Sequence, residues 1–150
     1  MSSGGLAGVV IDALVALWGA ELDVPVVDGP GAGEDVYQAV VIVGYDGVSV
    51  EGRAGAWTQR YANVGPGAAR DETGEVLCSV FVQSGDGSFA ELRGQALGLL
   101  GDMSAAVRAD PTLGVDGVLW VELAGVDLFV GDADGQAVRL AVRVGYAGRV

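Results

Sequence analysis

The N-terminal part of the chain has hydrophobic residues spaced as on one face of a helix. Over residues 6–22, "LAGVVIDALVALWGAEL", apolar side chains recur every three or four positions, which places them on one side of an α-helix. The members of this stripe are Leu6, Val9, Val10, Ala13, Leu14 and Leu17. Ile11, Val15 and Trp18 make the rest of the circumference largely apolar, so we expect this helix to be buried on more than one side.

A second helix is indicated by "SFAELRGQALGLLGDMSAAVRADP", residues 88–111. Ser88 followed three positions later by Glu91 has the pattern of a capping box, and Pro111 cannot continue the helix. The expected core face consists of Phe89, Leu92, Ala96, Leu99, Leu100, Met103 and Val107. At about 100° per residue, the opposite face consists of Gly94, Gly98, Gly101 and Ala105.

The three interior glycines of this helix have two explanations. Each costs about 1 kcal/mol relative to alanine, so a bare face is useful if the backbone of a neighbouring copy approaches it closely. Alternatively, a chain with 26 glycines has glycine wherever glycine is tolerated. The pattern by itself leaves both explanations open.

Runs of apolar and β-branched residues predict the first strands. "YQAVVIVGY", residues 37–45, and "EVLCSVFVQ", residues 75–83, are typical of buried strands. Residues 48–51 and 56–64 predict weaker strands, the second of them without a clear inner face. Residues 23–38 are rich in Pro, Gly and acids and predict a loop, with a short extended piece at 24–27. We expect a flexible connection at 65–74.

After the second helix, "VLWVEL", "VDLFVG" and "QAVRLAVRVGY" predict three more strands. The junctions Ala124-Gly125 and Asp132 to Gly135 predict tight hairpins between them, because glycine adopts the positive φ that such turns require. The last strand alternates, with Arg139 and Arg143 on one face and Val138, Leu140, Val142 and Val144 on the other. The order of elements contains no βαβ alternation. It predicts one α+β domain over residues 1–150, with two helices packed on a mainly antiparallel sheet with an extended hairpin arm.

The charge balance excludes several functions. Acidic residues outnumber basic ones 20 to 8, His is absent, and no Lys occurs in the sequence, so we do not expect binding to nucleic acid by phosphate neutralisation. The absence of His removes the commonest general base and metal ligand. Cys78 is expected to be a buried thiol rather than a nucleophile. Without an apolar run of about 18 residues or a basic signal region, we expect a soluble protein in a reducing cytoplasm.

Three short segments could suggest chemistry. "GPGAGED" lacks the Lys and the following helix of a phosphate-binding loop. "GDADG", residues 131–135, lacks the further ligands of a calcium loop and is expected to be a hairpin turn. "ARDETG", residues 69–74, contains Arg70, Asp71 and Glu72, which form either an interface ion cluster or a solvated loop. We therefore predict no enzyme activity and no catalytic, cofactor-binding or metal-binding residue.

The order of segments resembles a known family. "IDALVALWGAEL", "AVVIVGYDG", "WTQRYANVG", "GEVLCSVFVQSGD" and "RADPTLGVDGVLWVEL" follow one another as in the tail terminator proteins of long-tailed, siphovirus-type bacteriophages, particularly those that infect actinobacteria. The resemblance covers nearly the whole chain. It implies a homohexameric ring at the head-proximal end of the tail tube, which stops tube polymerisation and provides the surface for head docking.

The resemblance also implies the partners. These are further copies of the chain, the tail tube protein and a head-completion or connector protein, in a virion assembled in the cytoplasm of a bacterial host. Genomic DNA would pass through the ring without specific binding, which acidic walls would favour. The candidates for contacts with other subunits or the tube are Gly94, Gly98, Gly101, Ala105, Trp57, Arg60, Tyr61, Arg70, Asp71 and Glu72. The alternatives to a tail terminator are another neck or head-tail connector component, a tail tube component, or a non-phage oligomeric binding module.

Overall fold

The computed structural model describes residues 5–29, 38–45, 53–61, 69–131 and 135–150. Within these ranges there are two helices and six strands. In chain order they are α1 (Ala7–Glu21), β1 (Val26–Asp28), β2 (Ala39–Val43), β3 (Gly55–Tyr61), β4 (Arg70–Ser84), α2 (Phe89–Ala109), β5 (Val118–Gly131) and β6 (Gln136–Arg149). The predicted fold class, α+β with two helices on a mainly antiparallel sheet, is confirmed.

The sheet is built around the two long strands β4 and β6. Its order is β1-β2-β4-β6-β5, and β3 also pairs with β4. β3 lies beside the first half of β4 and β2 lies beside its second half, while β6 follows β4 over nearly its whole length. All pairs are antiparallel except β1 with β2. The predicted hairpin arm corresponds to β3 and the first half of β4. Because β6 also pairs with the first half of β4, this arm is part of the sheet.

Both helices pack on one face of the sheet, which we call the helix face. On β4 this face carries Val76, Cys78, Val80 and Val82, all essentially inaccessible to solvent. The alternate residues of β6 that were predicted to share one face, from Val138 to Val144, are buried in the same core. Burial of this continuous apolar layer is the main stabilising contribution to the fold.

The opposite face of the sheet carries Leu77, Ser79 and Phe81 of β4. A smaller apolar cluster on this face is formed by Val40 and Ile42 of β2 together with Tyr45. β2 is therefore buried on both faces, as its continuous apolar sequence predicts.

The helices begin and end near the predicted positions. Ser88 caps α2, because its Oγ accepts a hydrogen bond from the Glu91 N–H (3.2 Å), and α2 ends at Ala109, two residues before Pro111. All the predicted core positions of α2 are buried or partly buried against the core. The Ser88 cap and the periodicity of α2 are therefore confirmed.

The predicted orientation of α1 is partly wrong. Its buried residues are Ala7, Val10, Leu14 and Trp18, whereas Val9, assigned to the core stripe, is 45% exposed. Trp18 is fully buried, and its Nε1–H donates to the Met103 carbonyl oxygen of α2 (3.2 Å). Because α1 is apolar on most sides, hydrophobicity did not distinguish its faces, and packing of the indole against α2 decides which face turns inward.

The predicted hairpin at residues 124–125 is also wrong. β5 is one continuous strand with register shifts between Val118 and Trp120 and between Leu123 and Gly125, so Gly125 lies at a β-bulge and not in a turn. A Cβ at Gly125 would overlap the guanidinium group of Arg143. The glycine leaves room for the Arg143 guanidinium group at this position, and a close approach of this kind is another common reason for a glycine inside a strand.

The flexible connection expected at 65–74 is wrong for its second half, because β4 begins at Arg70. The acidic and polar residues there indicated a loop, but they alternate between the two faces of a paired strand. The short extended piece expected at 24–27 is observed as β1. Several predictions concern residues outside the described ranges. They are the strand at 48–51, the end of the second weak strand and the start of the flexible connection at 62–68, the turn at 132–134, and most of the "GPGAGED" segment.

Candidate interaction surfaces

The bare face of α2 is exposed. Gly94, Gly98, Gly101 and Ala105 are all solvent-exposed, and a Cβ added to any of the three glycines would meet no atom within 4 Å. Their predicted position opposite the core face is confirmed. Nothing in the described part of the chain requires glycine there, so the proposed contact with another subunit stays a prediction.

Glu72, a predicted contact residue, is fully buried. Its carboxylate accepts hydrogen bonds from the Leu6 N–H (2.8 Å), from Gln59 Nε2 (2.7 Å) and from the Tyr146 hydroxyl (2.7 Å). These contacts attach the start of α1 to β3, β4 and β6. In this conformation the carboxylate is hydrogen-bonded inside its own chain and cannot contact a second copy.

Two neighbours of Glu72 complete this network, which we call the Glu72 cluster. Arg70 donates from Nη1 to Gln59 Oε1 (2.9 Å), so the amide of Gln59 is held from both sides. Burial first, and then the hydrogen bond and the negative charge of Glu72, raise the pKa of Tyr146 well above its usual range. Tyr146 therefore remains a protonated donor, as its hydrogen bond to the carboxylate requires.

Four other predicted contact residues on β3 and β4, Trp57, Arg60, Tyr61 and Asp71, are exposed on the surface, whereas Arg70 is half-buried. Trp57 and Tyr61 are 46% and 74% exposed. Arg60 is exposed and lies opposite Asp71 in the β3–β4 register, and Asp71 forms an ion pair with Arg149 (2.9 Å). The structure thus brings Arg60 and Asp71 to one surface of the sheet but places Glu72 inside.

Exposed hydrophobic side chains are concentrated on the two strands β3 and β5. Among the described residues, eight of the ten large exposed hydrophobic side chains belong to these strands. They are Trp57 and Tyr61 on β3, and Leu119, Trp120, Val126, Leu128, Phe129 and Val130 on β5. The exposed apolar surface of β5 was not predicted from the sequence, although "VDLFVG" is apolar at positions that point to both faces and this pattern indicates such a surface.

On the opposite face of the sheet, charged groups are held in pairs around a cavity of about 270 Å³. Arg143 pairs with Asp127 (2.8 Å), and the guanidinium carbon of Arg139 lies 4.2 Å from the ring centre of Phe129. Arg53 pairs with Glu75 (3.3 Å) at the same cavity. Exposed ion pairs of this kind are weak, and two of these three contacts, at Asp127 and Phe129, involve side chains of β5.

Cys78 is fully buried, as predicted. Burial raises the pKa of its thiol from 9.0 to about 12, and a backbone hydrogen bond at Gly44 opposes this shift only partly. The thiol is therefore protonated at neutral pH, and a protonated thiol is a poor nucleophile. Within the described ranges, no helix has the length and apolar character that crossing a bilayer requires.

The fold and these surfaces define a class: an α+β protein with both helices on one face of a mainly antiparallel sheet and with apolar side chains along two outer strands. Neither a protein-family model nor a curated protein matches the sequence. Among solved structures, the chain is similar to a chain in the virion of a native gene transfer agent (GTA) particle. The TM-score is 0.50 at 15% sequence identity, over 99% of this chain and 97% of that chain. At this identity the similarity concerns the fold.

Proposed function

We propose that the protein is a structural subunit of a virion and, more specifically, a tail terminator. In this role, copies form a ring at the head-proximal end of the phage tail tube, stop its polymerisation and provide the surface for head docking. The observation that carries the proposal is the fold similarity to a chain of a virion over almost the full length of both chains. A similarity of this extent includes the helices as well as the sheet.

The exposed surfaces support an assembled state. A monomeric soluble protein rarely exposes contiguous apolar surface without a partner for it, yet the exposed hydrophobic side chains here lie mainly on two strands. A ring subunit needs two different surfaces for its neighbours, because each contact in a ring is heterologous. It needs further surfaces for the tube and the head, and the α2 face with Gly98 remains our proposed candidate for contact with another subunit or with the tube.

The charge of the chain supports the passage of DNA. The formal net charge is −12, and an acidic wall repels phosphate groups, so that DNA does not bind to it. The same charge would hinder any function that depends on nucleic-acid binding. We propose accordingly that DNA passes through the ring without specific contacts and that the role of the protein is mechanical, not catalytic.

The test is the deletion of this gene from the virus that encodes it, followed by electron microscopy of the particles. We expect tails of excessive and variable length without heads, because the tube continues to grow when its end is not closed. Wild-type protein supplied in trans is the control and should restore normal virions. Tails of normal length without heads would instead indicate a connector, absent tails would indicate a tube component, and normal virions would exclude all three roles.

A further inference from the structure

We infer that copies of this chain join edge to edge, with residues 126–131 of β5 in one copy paired to β3 of the next copy. This inference deepens the proposed function, on which it rests, because it names the surfaces that close the ring. It is carried by four observations on the two strands: their free edges, their exposed apolar side chains, their charges and their directions.

Both strands have a free edge among the described residues. β5 pairs only with β6, and β3 pairs only with β4, so the outer N–H and C=O groups of both strands can accept a further strand. The first half of β5 is interrupted by register shifts between Val118 and Trp120 and between Leu123 and Gly125. Because bulges disturb pairing, the regular stretch that remains is residues 126–131.

This regular stretch is apolar on both faces. Val126, Leu128, Phe129 and Val130 are 38%, 49%, 46% and 60% exposed. Free edges are commonly protected by Lys, Pro or other charged side chains, and this stretch has only one charged residue, Asp127, which also pairs with Arg143 of its own chain. An edge that is regular, apolar and unprotected favours association with another strand.

The charges of the two strands select β3 as the partner of β5. The charged residues of β5 are both acidic, Glu122 and Asp127, whereas the single charged residue of β3 is Arg60. Two β5 edges facing each other would bring acidic side chains together, which is unfavourable. A β5 edge facing a β3 edge joins opposite charges and also brings Tyr61 to the exposed aliphatic side chains.

The directions of the strands fit a ring. β3 and β6 both run antiparallel to β4, and β5 runs antiparallel to β6, so β3 and β5 have opposite directions and lie on opposite sides of the sheet. Residues 126–131 of β5 lie level with residues 78–83 of β4, whereas β3 lies beside residues 70–76. Copies related by rotation about an axis inclined to the strands, as strands are inclined in a barrel, keep the strand directions and offset this difference in level. Their β5–β3 contact is then antiparallel, like most pairs within the sheet, and a repeated contact of this kind closes into a ring.

Disulfide crosslinking of the full-length protein tests this contact. Tyr61 lies on the helix face opposite Arg70, and Val126, Leu128 and Val130 lie on the same face opposite core residues of β6. We would combine Tyr61→Cys in turn with Val126→Cys, Leu128→Cys and Val130→Cys, so that neighbouring registers are covered. We expect at least one combination to form a ladder of covalent multimers under mild oxidation, because paired strands bring such cysteines within bonding distance.

The controls use the same chain. Tyr61→Cys combined with Gly98→Cys should form no ladder, and neither should any single variant. The native Cys78 should not interfere, because it is fully buried. A ladder from Tyr61→Cys combined with Gly98→Cys would overturn the inference. Dimers from Leu128→Cys alone would also overturn it, and so would the absence of a ladder from all three combinations of Tyr61→Cys with a β5 cysteine.

A charged substitution gives a second, independent measurement. Leu128→Lys places a charge on the proposed edge, and Val9→Lys, at a similarly exposed position on α1, is the matched control. We expect Leu128→Lys to weaken self-association, measured by native mass or sedimentation, at least about tenfold, which corresponds to about 1.4 kcal/mol. Equal effects of the two substitutions, with both variants folded by circular dichroism, would contradict the inference.

These experiments can fail separately from the test of function. Uncontrolled tail growth in the deletion mutant without β5–β3 crosslinks would support the terminator role and overturn the inference. In virions, a crosslink from β5 to the tube protein instead of to a second copy would likewise support the terminator role and overturn the inference. Crosslinked multimers together with normal virions after deletion would support the contact and reject the terminator role.

Discussion

At the scale of single residues, Glu72 shows how a charged side chain can be part of the interior. Its carboxylate lies below the start of α1 and accepts hydrogen bonds from three elements. A buried carboxylate is tolerated only with such partners, because its desolvation is costly otherwise. The sequence "ARDETG" could not show this, since the Leu6 N–H and the Tyr146 hydroxyl are distant in the chain.

We predict that Glu72→Ala lowers the free energy of unfolding by about 3 kcal/mol or more, because it leaves the Leu6 N–H and the Tyr146 hydroxyl buried without acceptors. Glu75→Ala is the matched control on the same strand. It removes only a partly exposed ion pair with Arg53, and we expect a loss below about 1 kcal/mol. Urea denaturation measures both variants, and an equal loss in the two would contradict the proposed importance of the Glu72 cluster.

At the scale of elements, the meaning of a glycine depends on the element in which it lies. At Gly98 in α2, an added Cβ meets open space. At Gly74 in β4, an added Cβ would lie 2.7 Å from the Ala56 carbonyl oxygen and 2.7 Å from the Tyr146 hydroxyl. The first glycine is a conformational cost to the isolated chain, whereas the second permits the close packing of β3 and β6 on β4.

We predict opposite signs for alanine substitutions at these two positions. Gly98→Ala should raise the free energy of unfolding by about 1 kcal/mol, because alanine is the better helix former and its methyl group meets no other atom. Gly74→Ala should lower it by about 1–3 kcal/mol through overpacking. Thermal or urea denaturation of the two variants is the measurement. A stabilising Gly74→Ala would show that β3 moves away easily.

At the scale of the whole molecule, net charge and exposed apolar surface oppose each other. Every copy has a formal charge of −12, so copies repel one another as they approach. The exposed side chains of β3 and β5 favour association, because contact removes them from water. The balance between the two effects decides whether copies associate with one another in solution.

We predict that salt strengthens self-association. Raising NaCl from about 50 mM to about 500 mM shortens the screening length from about 14 Å to about 4 Å, which weakens the repulsion between copies and leaves the apolar contact intact. The oligomeric fraction in sedimentation velocity should therefore increase. Leu128→Lys is the control and should remain mostly monomeric at both concentrations. Dissociation of the wild-type oligomer by salt would mean that ion pairs dominate the interface.

The sequence by itself determined the local features of the fold. The period of the apolar residues indicated α2 and its core face, and the serine-glutamate pair indicated its start. The alternation in "AVRLAVRV" and the apolar run in "AVVIV" indicated β6 and β2. These features depend on neighbours a few positions apart, and hydrogen bonding within an element and the burial of one face impose them directly.

Only the tertiary structure decided the features that depend on distant residues. It selected the buried face of α1 through Trp18 and Met103, made one bulged strand of residues 118–131 by pairing with β6, and placed Glu72 in the interior. It also left β3 and β5 at the edges of the sheet, where their apolar side chains remain exposed. The physical reason is that pairing and burial depend on which segments meet in space, and residues far apart in the chain determine this.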